Sequence, residues 1–137
     1  MIRVICKDMF FLSQKASNAT KEDICVADDL LDTLRSNADH CVGMAANMIG
    51  IKKRIIAFAI GGGQYFEMFN PEIIKTALPY DTTEGCLSLM GTRLTKRFKT
   101  LVVRYQNRQF QTHTQTFNGY IAQIIQHEID HTNGILI

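Results

Sequence analysis

The segment His127-Glu128-Ile129-Asp130-His131 sets two imidazoles four residues apart, with a carboxylate directly after the first. On an α-helix such residues share one face, so both rings can reach a single metal ion. Glu128 then sits beside that face, where a carboxylate can take a proton from a metal-bound water. Asp130 is offset from the histidine face and is expected to bond backbone or groups behind the ligands rather than the metal. A hydrolytic site of this kind uses three protein ligands and keeps one position open. Only Thr-Asn-Gly-Ile-Leu-Ile follows His131, and none of these can ligate. The third ligand is therefore expected upstream, which disfavours a conventional peptidase with a downstream ligand. Cys86, in Glu84-Gly85-Cys86-Leu87-Ser88, is the best candidate. It follows a strand, a glycine precedes it, and coordination would deprotonate its thiol. His40, His113, Cys6, Cys25 and Cys41 remain alternatives.

These residues need elements to hold them. A helix is expected from about 118 to 132, stopped by Asn133-Gly134. Within it Ile121, Ile125 and Ile129 form a core stripe. Thr20 and Asp23 resemble a capping box, and Ile24, Ala27, Leu31, Leu34 and Ala38 recur at helical spacing, so an amphipathic helix is expected over roughly 21–39. Residues 41–50 read as a loop or a closely approached edge. Residues 54–60 read as a buried strand, and Gly61-Gly62-Gly63 as a turn into a second strand at 64–69 that ends at Asn70-Pro71. Residues 100–105 and 109–116 alternate like a hairpin across 106–108. The fold class is α+β: antiparallel sheets packed around a C-terminal metal-binding helix, with an N-terminal amphipathic helix, in one domain over 1–137.

The 137 residues are 46% hydrophobic and 20% charged, which excludes disordered and fibrous classes. No apolar run reaches the roughly 20 residues of a membrane span, and the start lacks a signal-peptide layout, so a cytoplasmic protein is expected, without a membrane partner. Four cysteines in such a chain read as thiols or metal ligands rather than disulfides. Residues 1–84 carry nine basic and eleven acidic side chains, a balance of −2, whereas 85–127 carry six basic and no acidic ones. That block reads as a solvated sheet surface more readily than an RNA-binding face, and no specific nucleic-acid partner is expected.

Three segments together resemble the peptide deformylase family: Gly43-Met44-Ala45-Ala46-Asn47-Met48-Ile49-Gly50, Glu84-Gly85-Cys86-Leu87-Ser88 and Gln126-His127-Glu128-Ile129-Asp130-His131. Asn70-Pro71-Glu72 and Arg97 also match, and the likeness runs from about Val26 to the last residue. The resemblance implies a metal-dependent hydrolase that removes formate from N-formylmethionyl peptides. It implies Cys86, His127 and His131 as metal ligands and Glu128 as general base and acid. The Leu87 N–H would hold the formyl oxygen. The metal would be ferrous iron in the cell, with zinc, nickel or cobalt as alternatives, since thiolate and imidazole accept each of them. A second reading keeps the metal without efficient catalysis, as a binding or regulatory relative. For the substrate, Gly43, Met44, Leu87, Tyr120, Gln123 and Ile124 are expected to form an apolar slot of methionine size beside the metal.

The sequence departs from the family's pattern at three points. Its first motif usually ends Ala-Ala-Pro-Gln, where this chain has Asn47 and Met48, and the missing Gln is a side-chain donor to the developing oxyanion. Met48 has no donor. Asn47 either supplies a substitute amide to this oxyanion loop or points to solvent while Met48 packs in an apolar site. Leu89-Met90 follows the second motif, where an apolar residue and Pro are usual. Typical bacterial members also continue beyond the metal helix into an extension that approaches the ribosome, so any ribosome contact here is expected to be transient.

Overall fold

The computed structural model describes residues 1–137. A short helix α1 (Met9–Leu12) is capped by the Asp8 carboxylate, which accepts from the Phe10 and Phe11 N–H groups. The expected capping box forms, with Glu22 N donating to Thr20 Oγ1 and Thr20 N to the Asp23 carboxylate. It opens a 3-10 turn that leads into α2 (Ile24–Ser36). The helix stops three residues before the expected end, and Ala38 lies exposed in the turn beyond it. Five strands follow: β1 (Gly43–Ala45), β2 (Ile55–Gly61), β3 (Gln64–Cys86), β4 (Leu89–Gln106) and β5 (Thr112–Asn118). They form one antiparallel sheet in chain order. The last element is α3 (Gly119–Thr132), as the sequence spacing requires.

The apolar run in β2 is continuous because both faces of the sheet are covered. Ile55 and Ala57 join a core with Val26, Ala27, Leu30 and Leu34 of α2. Ile56 and Phe58 point the other way, into a core with Ala122, Ile124, Ile125 and Ile129 of α3. Alternation along a strand makes this division. It applies equally to β1, where Met44 pairs with Ala57 and Ala45 with Ile56. Met44 thus belongs to the α2 core and Ala45 to the α3 core. Of the expected stripe on α3, Ile125 and Ile129 are buried and Ile121 is half-buried against the same core.

Two strand boundaries differ from expectation. Asn70-Pro71 does not end β3. The pairing with β4 shifts register between Phe69 and Glu72, and this irregularity absorbs the proline. Asn70 takes a φ of 53°, and its N–H donates to Arg54 O at 2.7 Å. Strand β3 then continues to Cys86, so β3 and β4 form one long hairpin that closes on Leu87 and Ser88. The β4–β5 connection is likewise longer than expected, spanning 107–111. The Asn107 side-chain oxygen accepts from Gln109 N and Gln111 N, and Phe110 takes a φ of 58°, which turns the chain without glycine.

Helix α3 ends in a Schellman motif. Ile135 N donates to Asp130 O, Gly134 N donates to His131 O, and Gly134 has a φ of 76°. A Cβ on Gly134 would stand 2.5 Å from the Ser13 carbonyl oxygen, so glycine also permits the close approach of the N-terminal segment. No helix is long and apolar enough to cross a membrane.

Candidate metal centre

Two elements meet at the site. Helix α3 carries His127, Glu128 and His131, and the closed end of the β3–β4 hairpin carries Glu84, Cys86 and Leu87. The ligand atoms of Cys86, His127 and His131 lie within 4.8 Å of one another. The two Nε2 atoms approach to 3.0 Å, with the rings 4.7 Å apart at 67°. Both histidines are buried. Two imidazole nitrogens facing one point beside a thiol are donors suited to a shared soft or borderline cation. His40 lines the neighbouring cavity, whereas His113 stacks on Tyr105 at the far end of β4, and neither joins the cluster. All four cysteines are free.

A polar network fixes the first imidazole. Glu84 and Cys86 are two residues apart on β3 and so share a face, which places a carboxylate behind the ligand set. Glu84 Oε1 lies 2.8 Å from His127 Nδ1. Arg97 binds the same carboxylate through Nε at 3.0 Å and a terminal nitrogen at 2.7 Å. Its other terminal nitrogen reaches Asp130 Oδ2 at 2.7 Å, and Gln123 Nε2 donates to Glu84 Oε2 at 2.9 Å. Burial would raise the Glu84 pKa, but hydrogen bonds from His127, Arg97 and Gln123 outweigh it and hold the group at about 2. Asp130 thus bonds a group behind the ligands, as expected. Gln126 clamps α3 to β4, its amide donating to Phe98 O at 2.9 Å and accepting from Phe98 N at 2.8 Å.

The half-buried Cys86 sulfur accepts a contact from Ser88 N at 3.4 Å. Glu128 is buried, and its Oε1 has no hydrogen-bond partner. Burial pushes its carboxyl up to about 7 against the lowering effect of His127. A carboxylate poised there is suited to accept and return a proton near neutral pH.

A cavity of about 610 Å³ opens onto this group. It is lined by Gly43, Met48, Cys86, Leu87, Tyr120, Gln123, Ile124, His127 and Glu128, together with Cys41 and Val42, which the sequence did not single out. Three expectations are corrected. Met44 faces α2 and is fully buried away from the cavity, because strand alternation gives the α3 side to Gly43 and Ala45. Asn47 neither reaches the cavity nor points to solvent. Its Nδ2 donates to the His131 carbonyl oxygen at 2.6 Å, in the core. Met48 does line the cavity, and its sulfur lies 3.5 Å from Ala45 N. Gln123 is at the cavity wall as a polar partner of Glu84 and Tyr80 rather than as apolar lining. The basic block is not one free face: Arg97 is buried, Arg104 pairs with Glu72, and Arg108 pairs with Asp28 and Glu67.

The polypeptide deformylase family matches residues 3–137. The chain belongs to the peptide deformylase family. A peptide deformylase from Clostridium beijerinckii is 56% identical over 137 residues, the whole of both chains. One from Halothermothrix orenii is 36% identical over 126 residues, 90% of this chain and 80% of that one. Among solved structures, the Met-Ala-Ser-bound class I type b peptide deformylase from Acinetobacter baumannii superposes with a TM-score of 0.89 at 28% identity, over 99% of this chain and 97% of that one. The peptide deformylase of Thermotoga maritima gives 0.88 at 29% identity, over 99% and 95%. The resemblance read from three short motifs therefore extends over the full fold, and the enzyme reading stands ahead of the non-catalytic one. Peptide deformylases are metal-dependent hydrolases of protein biosynthesis, and the Cys86, His127 and His131 donors fit that dependence.

Proposed function

We propose that this chain hydrolyses the formyl amide of N-formylmethionyl peptides, with Cys86, His127 and His131 holding one divalent metal ion, ferrous iron in the cell. The observation that carries the reading is the convergence of three ligand atoms within 4.8 Å at the end of a cavity of about 610 Å³. The Glu128 Oε1 atom, buried without a partner, fits a centre completed by a bound water or substrate. When bound, the ion supplies Lewis-acid polarisation of the formyl oxygen and lowers the pKa of water.

The chain's own residues do the rest. Glu128 takes a proton from the attacking water at Oε1 and returns it to the departing amine nitrogen, so one carboxyl serves as base and then as acid. Glu84 anchors His127 through Nδ1 and leaves Nε2 for the metal. The Leu87 N–H, at the hairpin turn, donates to the oxygen that gains charge. Met48 offers no proton there. Gly43, Leu87, Tyr120 and Ile124 bound the space for the methionine side chain. The cytoplasm is the expected compartment.

The test is metal analysis of anaerobically purified wild type and Cys86→Ala. The reading expects one ion per chain in the first and loss of tight binding in the second. Full occupancy with unchanged affinity in Cys86→Ala would remove the thiolate from the ligand set.

A further inference from the structure

The two imidazoles of the metal centre are held in different ways. His127 is anchored through its ring, where Nδ1 meets the Glu84 carboxylate at 2.8 Å. His131 has no such anchor, because its Nδ1 is buried without a partner. Its ring is therefore placed through its backbone and the packing around it. That backbone lies in the last turn of α3, where carbonyls lack partners within the helix. Gly134 N supplies one donor to the His131 carbonyl at 3.1 Å. The second comes from 84 residues away, from Asn47 Nδ2 at 2.6 Å, with both residues fully buried.

We infer that Asn47 is a positioning residue for metal binding, holding the backbone of His131 and through it the second imidazole. Asn47 lies in the 3-10 turn at 46–49, directly after β1. Its neighbour Met48 lines the cavity, and Cys6 N bonds Met48 O at 2.7 Å from the other side. The turn that forms one cavity wall is thus tied to the residue that carries a ligand. The Asn47 Oδ1 atom has no partner of its own, so the single amide donor is what this buried side chain contributes. Burying an amide with half its capacity unmet carries a cost, which the bond to His131 offsets. The role rests on the metal centre proposed above and goes beyond it, since neither residue of this bond need touch the substrate through it.

The experiment compares the full chain with Asn47→Ala and Asn47→Pro, each loaded with cobalt(II). The rate of cobalt release to a chromogenic chelator, the visible ligand-field spectrum and the thermal midpoints of metal-free and loaded protein are recorded. Position 47 lies in the first turn of a 3-10 segment, where φ suits proline and the N–H has no helical partner, so Asn47→Pro keeps the backbone and removes only the donor. It carries the test if Asn47→Ala does not fold. The expected result is cobalt release about tenfold faster in both variants, with a shifted ligand-field spectrum, as for loss of other groups that orient a metal ligand. Unchanged release and spectrum, with equal thermal losses in metal-free and loaded protein, would overturn the positioning role alone. A wild type that takes up no cobalt would overturn the metal centre and this role with it.

Discussion

The Glu128 Oε2 atom lies 2.9 Å from the point where a side chain on residue 43 would begin, and Ile124 Cγ2 lies 2.7 Å from the same point. Glycine at 43 therefore leaves the space that the proposed base occupies. In Gly43→Ala, Glu128 and Ile124 must both shift. A misplacement of this size costs on the order of 10²-fold in turnover. Steady-state formate release should fall by that much while metal content stays at the wild-type level. Unaltered kcat would mean that Glu128 has room to spare.

Glu128→Gln keeps the shape of the side chain and removes its ability to take a proton. Metal content should be unchanged, and formate release should drop by about 10²–10⁴-fold, the usual contribution of a general base. Turnover within a few-fold of wild type would assign the proton to another group.

Arg97 is only 4% exposed and bridges Glu84 to Asp130. Arg97→Met leaves the Glu84 carboxylate short of its guanidinium partner in a buried setting. Loss of one member of a buried pair costs about 3–5 kcal/mol. Chemical denaturation should report a loss in that range, and metal affinity should weaken about 10–100-fold as His127 loses its fixed anchor. A variant that is destabilised but binds metal with wild-type affinity would separate the network from the ligand.

Much of the site was legible because its periodicities are short. The His127 and His131 pair needed only the four-residue helical repeat, and α3 duly spans Gly119–Thr132. Glu84 has no role assigned from sequence, because no strand is expected there at 84–86. The two-residue repeat that puts its carboxylate on the face of the Cys86 thiol applies only once β3 is seen to run to Cys86. Cys86 is preferred to His40, His113 and the other cysteines for its place after a strand and a glycine and for the family resemblance, and the hairpin brings it to α3. Met44 was misjudged because alternation can be applied only once the strand is known, and residues 41–50 read as a loop. Asn47 was beyond reach, since its partner is a backbone oxygen 84 residues away. Asn70-Pro71 is an ordinary strand terminator in sequence, and only a register shift against β4 carries β3 past it.

Met48 lines the cavity at a position where an amide donor would serve a developing oxyanion, and it has no donor. Met48→Gln should raise kcat and kcat/KM together, by up to about 10²–10³-fold if the new amide reaches the formyl oxygen. Unchanged kinetics on a formyl-Met-Ala substrate would show that the Leu87 N–H and the metal already supply the stabilisation.

The central claim joins one metal to one reaction, and formate release before and after metal removal tests it most directly. Anaerobically purified chain, assayed on formyl-Met-Ala, should release formate, lose that activity on chelation and recover it with one equivalent of ferrous ion. Formate release that persists after complete metal removal, or its absence from fully loaded protein, would contradict the account.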